Sequence, residues 1–118
     1  MKRLTLDQAW DLCVNQQWKW IIWHWRRDNA LNIRNLKEAW CENNGYDIRG
    51  YGEFSVDGGG CFFCEYDTQN RGGCQSCPAK LVDGGFGCQE EGYSFEYEPE
   101  GFYEKLQELH KIYESRKK

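Results

Sequence analysis

Two Cys-x-x-Cys pairs decide the fold of this chain: Cys61-Phe62-Phe63-Cys64 and, nine residues later, Cys74-Gln75-Ser76-Cys77. Two thiolates at this spacing can bind one metal ion from a single turn, and a second such pair completes a tetrahedron. The four cysteines therefore predict a zinc site. An iron–sulfur cluster uses the same ligands and is the alternative, although the lack of a longer ferredoxin-type cysteine run favours zinc.

Three further cysteines lie outside the two pairs. Cys88 could replace one of the four ligands, lie beside the site, or act as a reactive thiol. We expect it to lie near the site without binding, because the two pairs already fill a tetrahedron. Cys13 and Cys41 fall at inward positions of predicted helices, which is typical of small core residues.

Catalytic partners for the metal are missing from the sequence. A catalytic zinc keeps an open coordination position and commonly uses His together with a nearby Glu. His24 and His110 have no second ligand at helical spacing, and no His-x-Glu precedes the cysteine pairs as in zinc deaminases. We therefore predict a structural metal site and no enzyme, with metal-dependent hydrolysis as a weaker alternative.

Helix signals flank the cysteine segment on its N-terminal side. Thr5 and Gln8 have the form of a capping box, which predicts a first helix from about residue 6. Residues 18–25 are aromatic and β-branched enough to form a strand, but the continued apolar face and the lack of Gly or Pro favour a helix to about residue 27. Asn32 can cap a second helix, and Gly45 supplies its left-handed end. These two helices could also form a helix-turn-helix DNA reader, with Arg34 and Lys37 facing the groove.

The middle and the end of the chain predict strands followed by one more helix. Tyr51, Phe54 and Val56 are candidate strand positions, and residues 93–98 alternate aromatic and polar side chains as a half-exposed strand does. Pro99 can open a last helix. We therefore predict a single α+β domain over residues 1–118, with a helical part (1–45), a Cys-rich zinc module with short strands (46–98) and a C-terminal helix (99–118).

Aromatic residues are unusually frequent, with six Trp, seven Tyr and six Phe. Large rings must therefore fill much of the core. Between residues 18 and 25 they occur on nearly every side of the predicted helix, which indicates burial on more than one face or a face left for a partner. Because Trp anchors many interfaces, we predict a partner-binding surface there. Its candidate residues are Trp18, Trp20, Trp23 and Trp25.

Charge is distributed unevenly along the chain. The net charge is −4, and residues 56–98 contain two basic against eight acidic side chains. Zinc modules that bind nucleic acid are usually rich in Lys and Arg. The acidic module therefore favours a protein partner with a basic surface, and a nucleic-acid-binding regulator is the alternative.

Neither a signal peptide nor a membrane-spanning segment is evident, since the most apolar stretch is short and carries Lys19 and His24. These features predict a cytoplasmic protein without a membrane partner. In that compartment thiols stay reduced and available for metal.

The run Cys61-Phe62-Phe63-Cys64-Glu65-Tyr66 followed by Cys74-Gln75-Ser76-Cys77-Pro78 resembles small bacteriophage-encoded zinc-binding proteins. In those proteins a Cys-x-x-Cys-Glu-Tyr turn is paired with a later Cys-x-x-Cys-Pro, between an N-terminal Trp-bearing helix and a C-terminal helix. Asp67 and Lys80-Leu81 depart from the small and leucine residues of that pattern. The resemblance implies a phage origin, the cytoplasm of an infected bacterium and a zinc-stabilised fold, and it implies no activity.

Taken together, these features predict a non-enzymatic zinc-stabilised protein-interaction module. In its specific form it is a phage accessory protein that binds and inhibits or modulates a bacterial host or defence protein. An acidic inhibitor that occupies a nucleic-acid site on such a protein is the sharpest version of this hypothesis.

Overall fold

The computed structural model describes residues 3–28, 30–46, 56, 60–88 and 93–117. Every regular element in these residues is a helix. Helix α1 is continuous and has three segments, which are α-helical (Leu6–Trp10), π-helical (Asp11–Trp18) and again α-helical (Lys19–Arg27). The other helices are α2 (Ile33–Asn43), α3 (Phe62–Gln69), α4 (Pro78–Val82) and α5 (Pro99–Arg116).

The helix ends follow the signals in the sequence. The Thr5 hydroxyl accepts a hydrogen bond from the Gln8 N–H, and the Gln8 side chain accepts one from the Thr5 N–H, which completes the capping box. The Asn32 carboxamide oxygen accepts the backbone N–H of Arg34 at 2.8 Å. Gly45 follows α2 with φ +83°, a left-handed conformation that costs glycine little. The predicted helices at 6–27 and after Asn32 and Pro99 are thus confirmed.

Helix α1 is the centre of the molecule. Its first segment packs on α3 and α4, its π-helical segment on α3 and α5, and its last segment on α2 and α5. The π-helical segment was not predicted, because its sequence carries no helix breaker. Such wider turns often occur where a helix serves a functional site. The buried Gln17 in this segment donates to the carbonyl of Gly60 at 2.8 Å and so joins α1 to the start of the cysteine region.

The core of the described residues consists largely of aromatic rings contributed by different helices. Trp10 of α1 meets the Phe63 ring edge-on at a centroid distance of 4.9 Å. Trp18 packs on Phe102 of α5 at 4.7 Å. On α5, Leu106 and Leu109 are buried beside Phe102, as the apolar stripe of that helix predicts.

The predicted α+β class is wrong, because the described residues form helices and no strands. Residues 93–98 form a turn in which the Glu98 N–H donates to the Ser94 carbonyl at 2.8 Å, immediately before α5. Their alternation reflects one buried ring, Phe95, beside the exposed Tyr97. A strand needs a partner ladder, and the segments described around this turn are helical. Val56 is buried outside any strand, and the predicted positions 51 and 54 lie outside the described residues.

Among the described helices, none combines the length and the apolar character that crossing a bilayer requires.

Candidate metal centre

The first cysteine pair lies at the N-terminus of α3. Cys61 is the N-cap residue, and its sulfur accepts the backbone N–H of Cys64, which lies in the first turn, at 3.4 Å. An N-cap residue normally provides an oxygen for this role, and here a thiol sulfur takes it. The helix therefore holds both side chains of the first pair on one side of its first turn.

The second pair is held by a carboxylate from α3. Asp67 lies one turn after Cys64 and is buried. Its two oxygens accept the backbone N–H groups of Cys74 and Ser76, each at 2.7 Å. Pro78 then opens α4 directly after Cys77. One helix thus carries the first pair and fixes the loop that carries the second.

The two pairs face a common cavity of about 330 Å³. Six of the seven cysteines line this cavity, namely Cys13, Cys61, Cys64, Cys74, Cys77 and Cys88. Lys37 and Lys80 also reach it, and aromatic rings from α1, α3 and α5 form much of the remaining wall. Asp67 lines it as well, so the cavity is largely apolar, rich in sulfur and carries two ammonium groups and one carboxylate.

The thiols of this cavity differ in acidity. A hydrogen bond from the Cys64 thiol, aided by the charge of Lys37 and by backbone N–H groups, lowers the pKa of Cys61 against the opposing effect of burial. The same pairing raises the pKa of Cys64. Burial raises the pKa of Cys77 to about 11 and also raises the pKa values of Cys13 and Cys88. A bound divalent cation would override these differences, because coordination removes the proton from each thiol it binds.

The four predicted ligands are brought to one cavity, but they do not form a closed site as they stand. Within the described ranges, no three Cys, His, Asp or Glu side chains are close enough together to hold a metal ion. The donor set itself suits zinc, since thiolates are its preferred ligands in structural sites. Coordination would require the side chains of the cavity wall to turn inward.

Sequence spacing missed one cysteine of the cavity. Cys13 is 2% exposed and lies in the π-helical segment of α1. Its inward position was predicted, but its place on the cavity wall follows only from the docking of α1 against α3. Cys41 is a buried core residue as predicted, and its thiol approaches the Gly60 carbonyl at 3.7 Å.

The two histidines lie away from the cavity. His24 stands between two tryptophans of α1. His110 stacks on Trp10 at a centroid distance of 5.2 Å and contacts Glu114 at 3.2 Å.

The tryptophans predicted to bind a partner do not share one surface. Trp18 is only 3% exposed and packs in the core, so it cannot present a ring to a partner. Trp20 and Trp25 are both partly buried against the core. Trp23, in contrast, is 51% exposed, and together with Trp20, His24, Gln16 and Lys19 it lines an open groove on α1.

A cation accompanies this exposed aromatic surface. The guanidinium carbon of Arg27 lies 3.4 Å from the centroid of the Trp23 ring, and Arg27 also donates to the Trp23 carbonyl at 2.8 Å. His24 approaches the Trp20 and Trp23 rings at 4.2 and 4.7 Å. We call this surface, formed by Gln16, Lys19, Trp20, Trp23, His24 and Arg27, the aromatic face.

Much of the acidity of residues 56–98 is used inside the molecule. Asp67 holds the second cysteine loop, and Glu65 accepts a hydrogen bond from the Gln69 side chain at 2.7 Å. Asp83 pairs with Lys105 at 3.3 Å, and Glu96 pairs with Arg34 at 2.8 Å. The other acidic residues are Glu98, which is the N-cap of α5, and Asp57, Glu90 and Glu91, which lie outside the described residues.

The two cations of α2 that were predicted to face DNA differ in exposure. Arg34 is engaged with Glu96, and Lys37 is 7% exposed with its ammonium 4.8 Å from the centroid of the Phe95 ring. Of the two cations predicted to face DNA, only Arg34 therefore reaches the surface, and it does so paired with an acidic side chain.

Comparison of the chain with protein-family models finds no match. Comparisons with curated proteins and with solved structures find no significant match either. The resemblance of residues 61–78 to phage-encoded proteins remains an expectation from the sequence.

Proposed function

We propose that this chain is a non-enzymatic, zinc-stabilised protein-interaction module. The zinc ion would be held by Cys61, Cys64, Cys74 and Cys77. Its role would be to fix the loop between α3 and α4 against the N-terminus of α3, because these cysteines join segments with few aliphatic residues to hold them. Structural zinc binding is worth on the order of 10–16 kcal/mol, which is comparable to the entire stability of a small domain.

The observation that carries the interaction role is the exposed Trp23 with Arg27 over its ring. A ring held in place by a cation loses little freedom on binding, and Trp and Arg are the residues most often dominant in interfaces. Because Lys19 and Arg27 flank the rings, the face suits an apolar surface with acidic side chains. This replaces the basic partner surface that the charge of residues 56–98 predicted.

The resemblance to phage-encoded proteins supports a setting in the bacterial cytoplasm. There the chain would act as an accessory protein that binds and inhibits or modulates a host or defence protein. The nucleic-acid alternative also draws on the aromatic face, since exposed rings beside cations can stack on bases. Binding that survives nuclease treatment would indicate a protein partner, and binding that is lost on nuclease treatment would indicate nucleic acid.

The metal is tested by elemental analysis of the purified protein and by melting curves with and without a strong chelator. Replacing Cys64 or Cys74 with Ser should lower zinc content and thermal stability together, whereas Cys41→Ala should leave the zinc content unchanged. A melting curve that does not change in the Cys74→Ser protein would contradict the proposed role of the metal.

The partner is tested by affinity purification from nuclease-treated bacterial lysate. We expect one stoichiometric protein that copurifies with the wild type and is lost with Trp23→Ala. Tyr97→Ala is the matched control, because Tyr97 is 81% exposed and lies outside the aromatic face. Equal recovery with the Trp23 and Tyr97 variants would contradict the aromatic face as the binding surface, and recovery only without nuclease would favour nucleic acid.

A further inference from the structure

The cavity contains more thiols than one zinc ion can bind. The two Cys-x-x-Cys pairs supply four, and Cys13 and Cys88 add two more. They approach from separate parts of the chain, since Cys13 lies on α1 and Cys88 in the loop before α5. Six cysteines on one cavity wall are more than a tetrahedral ion requires.

The six thiols also extend through the depth of the site. Cys74 and Cys88 are exposed, whereas Cys13 is 2% exposed at the core side. A cavity of about 330 Å³ between them is much larger than a single ion. No three described Cys, His, Asp or Glu side chains are grouped closely enough to hold an ion as they stand, so the thiols would have to move together on binding. When they do, they supply more ligands than one tetrahedral ion can use.

Charge is compatible with a second ion. One divalent ion with four thiolates has a net charge of −2, and a second divalent ion with two more thiolates adds no further charge. Lys37 and Lys80 on the cavity wall oppose this charge, and the Asp67 carboxylate on the same wall adds to it, in either case. Lys37 is 7% exposed, so its ammonium acts at short range and with little screening.

Both additional cysteines are held in place by the fold. Cys13 belongs to the π-helical segment that docks on α3 and α5. The carbonyl of Cys88 accepts the backbone N–H of Phe95 at 3.0 Å, which fixes this loop next to a ring that also lines the cavity. Neither cysteine therefore depends on the two pairs for its position.

We propose that this cavity holds two zinc ions in one thiolate centre, with Cys13 and Cys88 joining the four paired cysteines. Two tetrahedral ions have eight ligand positions, which six thiolates fill when two of them bridge both ions. The inference rests on the proposed metal site and extends it from one ion to two. It gives the two unpaired cysteines of the cavity a role as ligands.

The experiment is zinc quantification per chain by native mass spectrometry and elemental analysis, on full-length protein purified under reducing conditions. The wild type should carry two zinc ions, with little of the one-zinc form because bridging thiolates couple the two sites. Cys88→Ser and Cys13→Ala should each lower the content to about one ion. Cys41→Ala should retain two, because Cys41 is buried outside the cavity wall.

Cobalt substitution provides a second readout that does not depend on the variant at Cys13. Two bridged cobalt ions couple magnetically, so the magnetic moment per cobalt should be reduced in the wild type and restored to that of an isolated ion in Cys88→Ser. One zinc ion per chain, unchanged in Cys88→Ser, would overturn the two-ion centre and leave the proposed structural zinc intact. Absence of zinc, or iron with acid-labile sulfide, would overturn both.

Discussion

Asp67 holds Cys74 in position: its Oδ2 accepts the backbone N–H of Cys74 at 2.7 Å. Cys74 has φ +80°, a left-handed conformation that is unfavourable for a residue with a side chain. The second oxygen of the same carboxylate accepts the N–H of Ser76, so both bonds tie the second cysteine loop to α3. A buried carboxylate on α3 thus offsets the cost of the backbone conformation that aims a proposed ligand.

Replacing Asp67 with Asn should loosen this loop. The amide that replaces one oxygen cannot accept a hydrogen bond, so one of the two backbone N–H groups loses its partner. Hydrogen bonds to charged groups contribute about 1.5–3 kcal/mol, and we expect a loss of this size in the free energy of unfolding. Chemical denaturation and zinc competition by a chelator would measure it. Asp11→Asn, at an exposed helical site, is the control, and equal effects of the two variants would contradict the role of Asp67.

Gly72→Ala should disrupt the same loop by steric overlap. A Cβ at Gly72 would overlap Asp67 Oδ1 and lie 2.5 Å from Ser76 Cβ, in a loop that the two hydrogen bonds hold in place. Relieving such a contact typically costs about 1–3 kcal/mol, so we expect a clearly lower melting temperature and weaker metal binding. Gly84→Ala is the matched control, because a Cβ there meets no atom within 4 Å. A Gly72 variant that is as stable as the Gly84 variant would show that the loop adjusts freely.

Trp18→Ala should mainly lower the stability of the protein, whereas Trp23→Ala should mainly weaken partner binding. Trp18 is buried against Phe102, and truncating a buried Trp costs about 3–5 kcal/mol. Trp23 is half exposed, so its loss should remove mainly its contacts with His24 and Arg27, the latter worth about 0.5–1 kcal/mol. Denaturant unfolding measures both. If Trp23→Ala destabilises the protein as much as Trp18→Ala, its loss of partner binding cannot be assigned to the aromatic face.

Acid should weaken the contact between the end of α1 and the start of α5. Arg26 donates to both oxygens of Glu100 at 2.6 and 2.8 Å, which lowers the pKa of Glu100 in the folded state. Because the pKa of Glu100 is lower in the folded than in the unfolded state, the ion pair contributes its full stabilisation at pH values above the unfolded-state pKa. This contribution is lost as the pH falls through the folded-state pKa. At neutral pH, Glu100→Gln should be less stable than the wild type by no more than about 1 kcal/mol, since the pair is largely exposed.

The difference between the two proteins should therefore disappear at low pH. Both carry the same thiols, so the effect of pH on metal binding cancels in the comparison. The measurement is the free energy of unfolding of both proteins at a series of pH values from neutral to about pH 3, a range that includes the ordinary pKa of Glu. A difference that stays constant over this range would contradict the role of the ion pair.

Local signals predicted the helices well, because caps and apolar stripes act over a few neighbouring residues. Thr5 with Gln8, Asn32 and Pro99 each set a helix start that the structure confirms. Residues 93–98 were misassigned because period-two alternation arises both from a strand and from a turn with one buried ring. Only the position of Phe95 under α2 and against α5 distinguishes the two.

The sequence by itself determined the helical ends of the chain and the two cysteine pairs as candidate ligands, since both depend on short spacings. Tertiary structure decided which side chains share a site. It placed Cys13 on the cavity wall, buried Trp18 and Lys37, and left Trp23 exposed. These outcomes depend on how α1 docks against α3 and α5, and contacts between residues far apart in the chain leave no trace in local spacing.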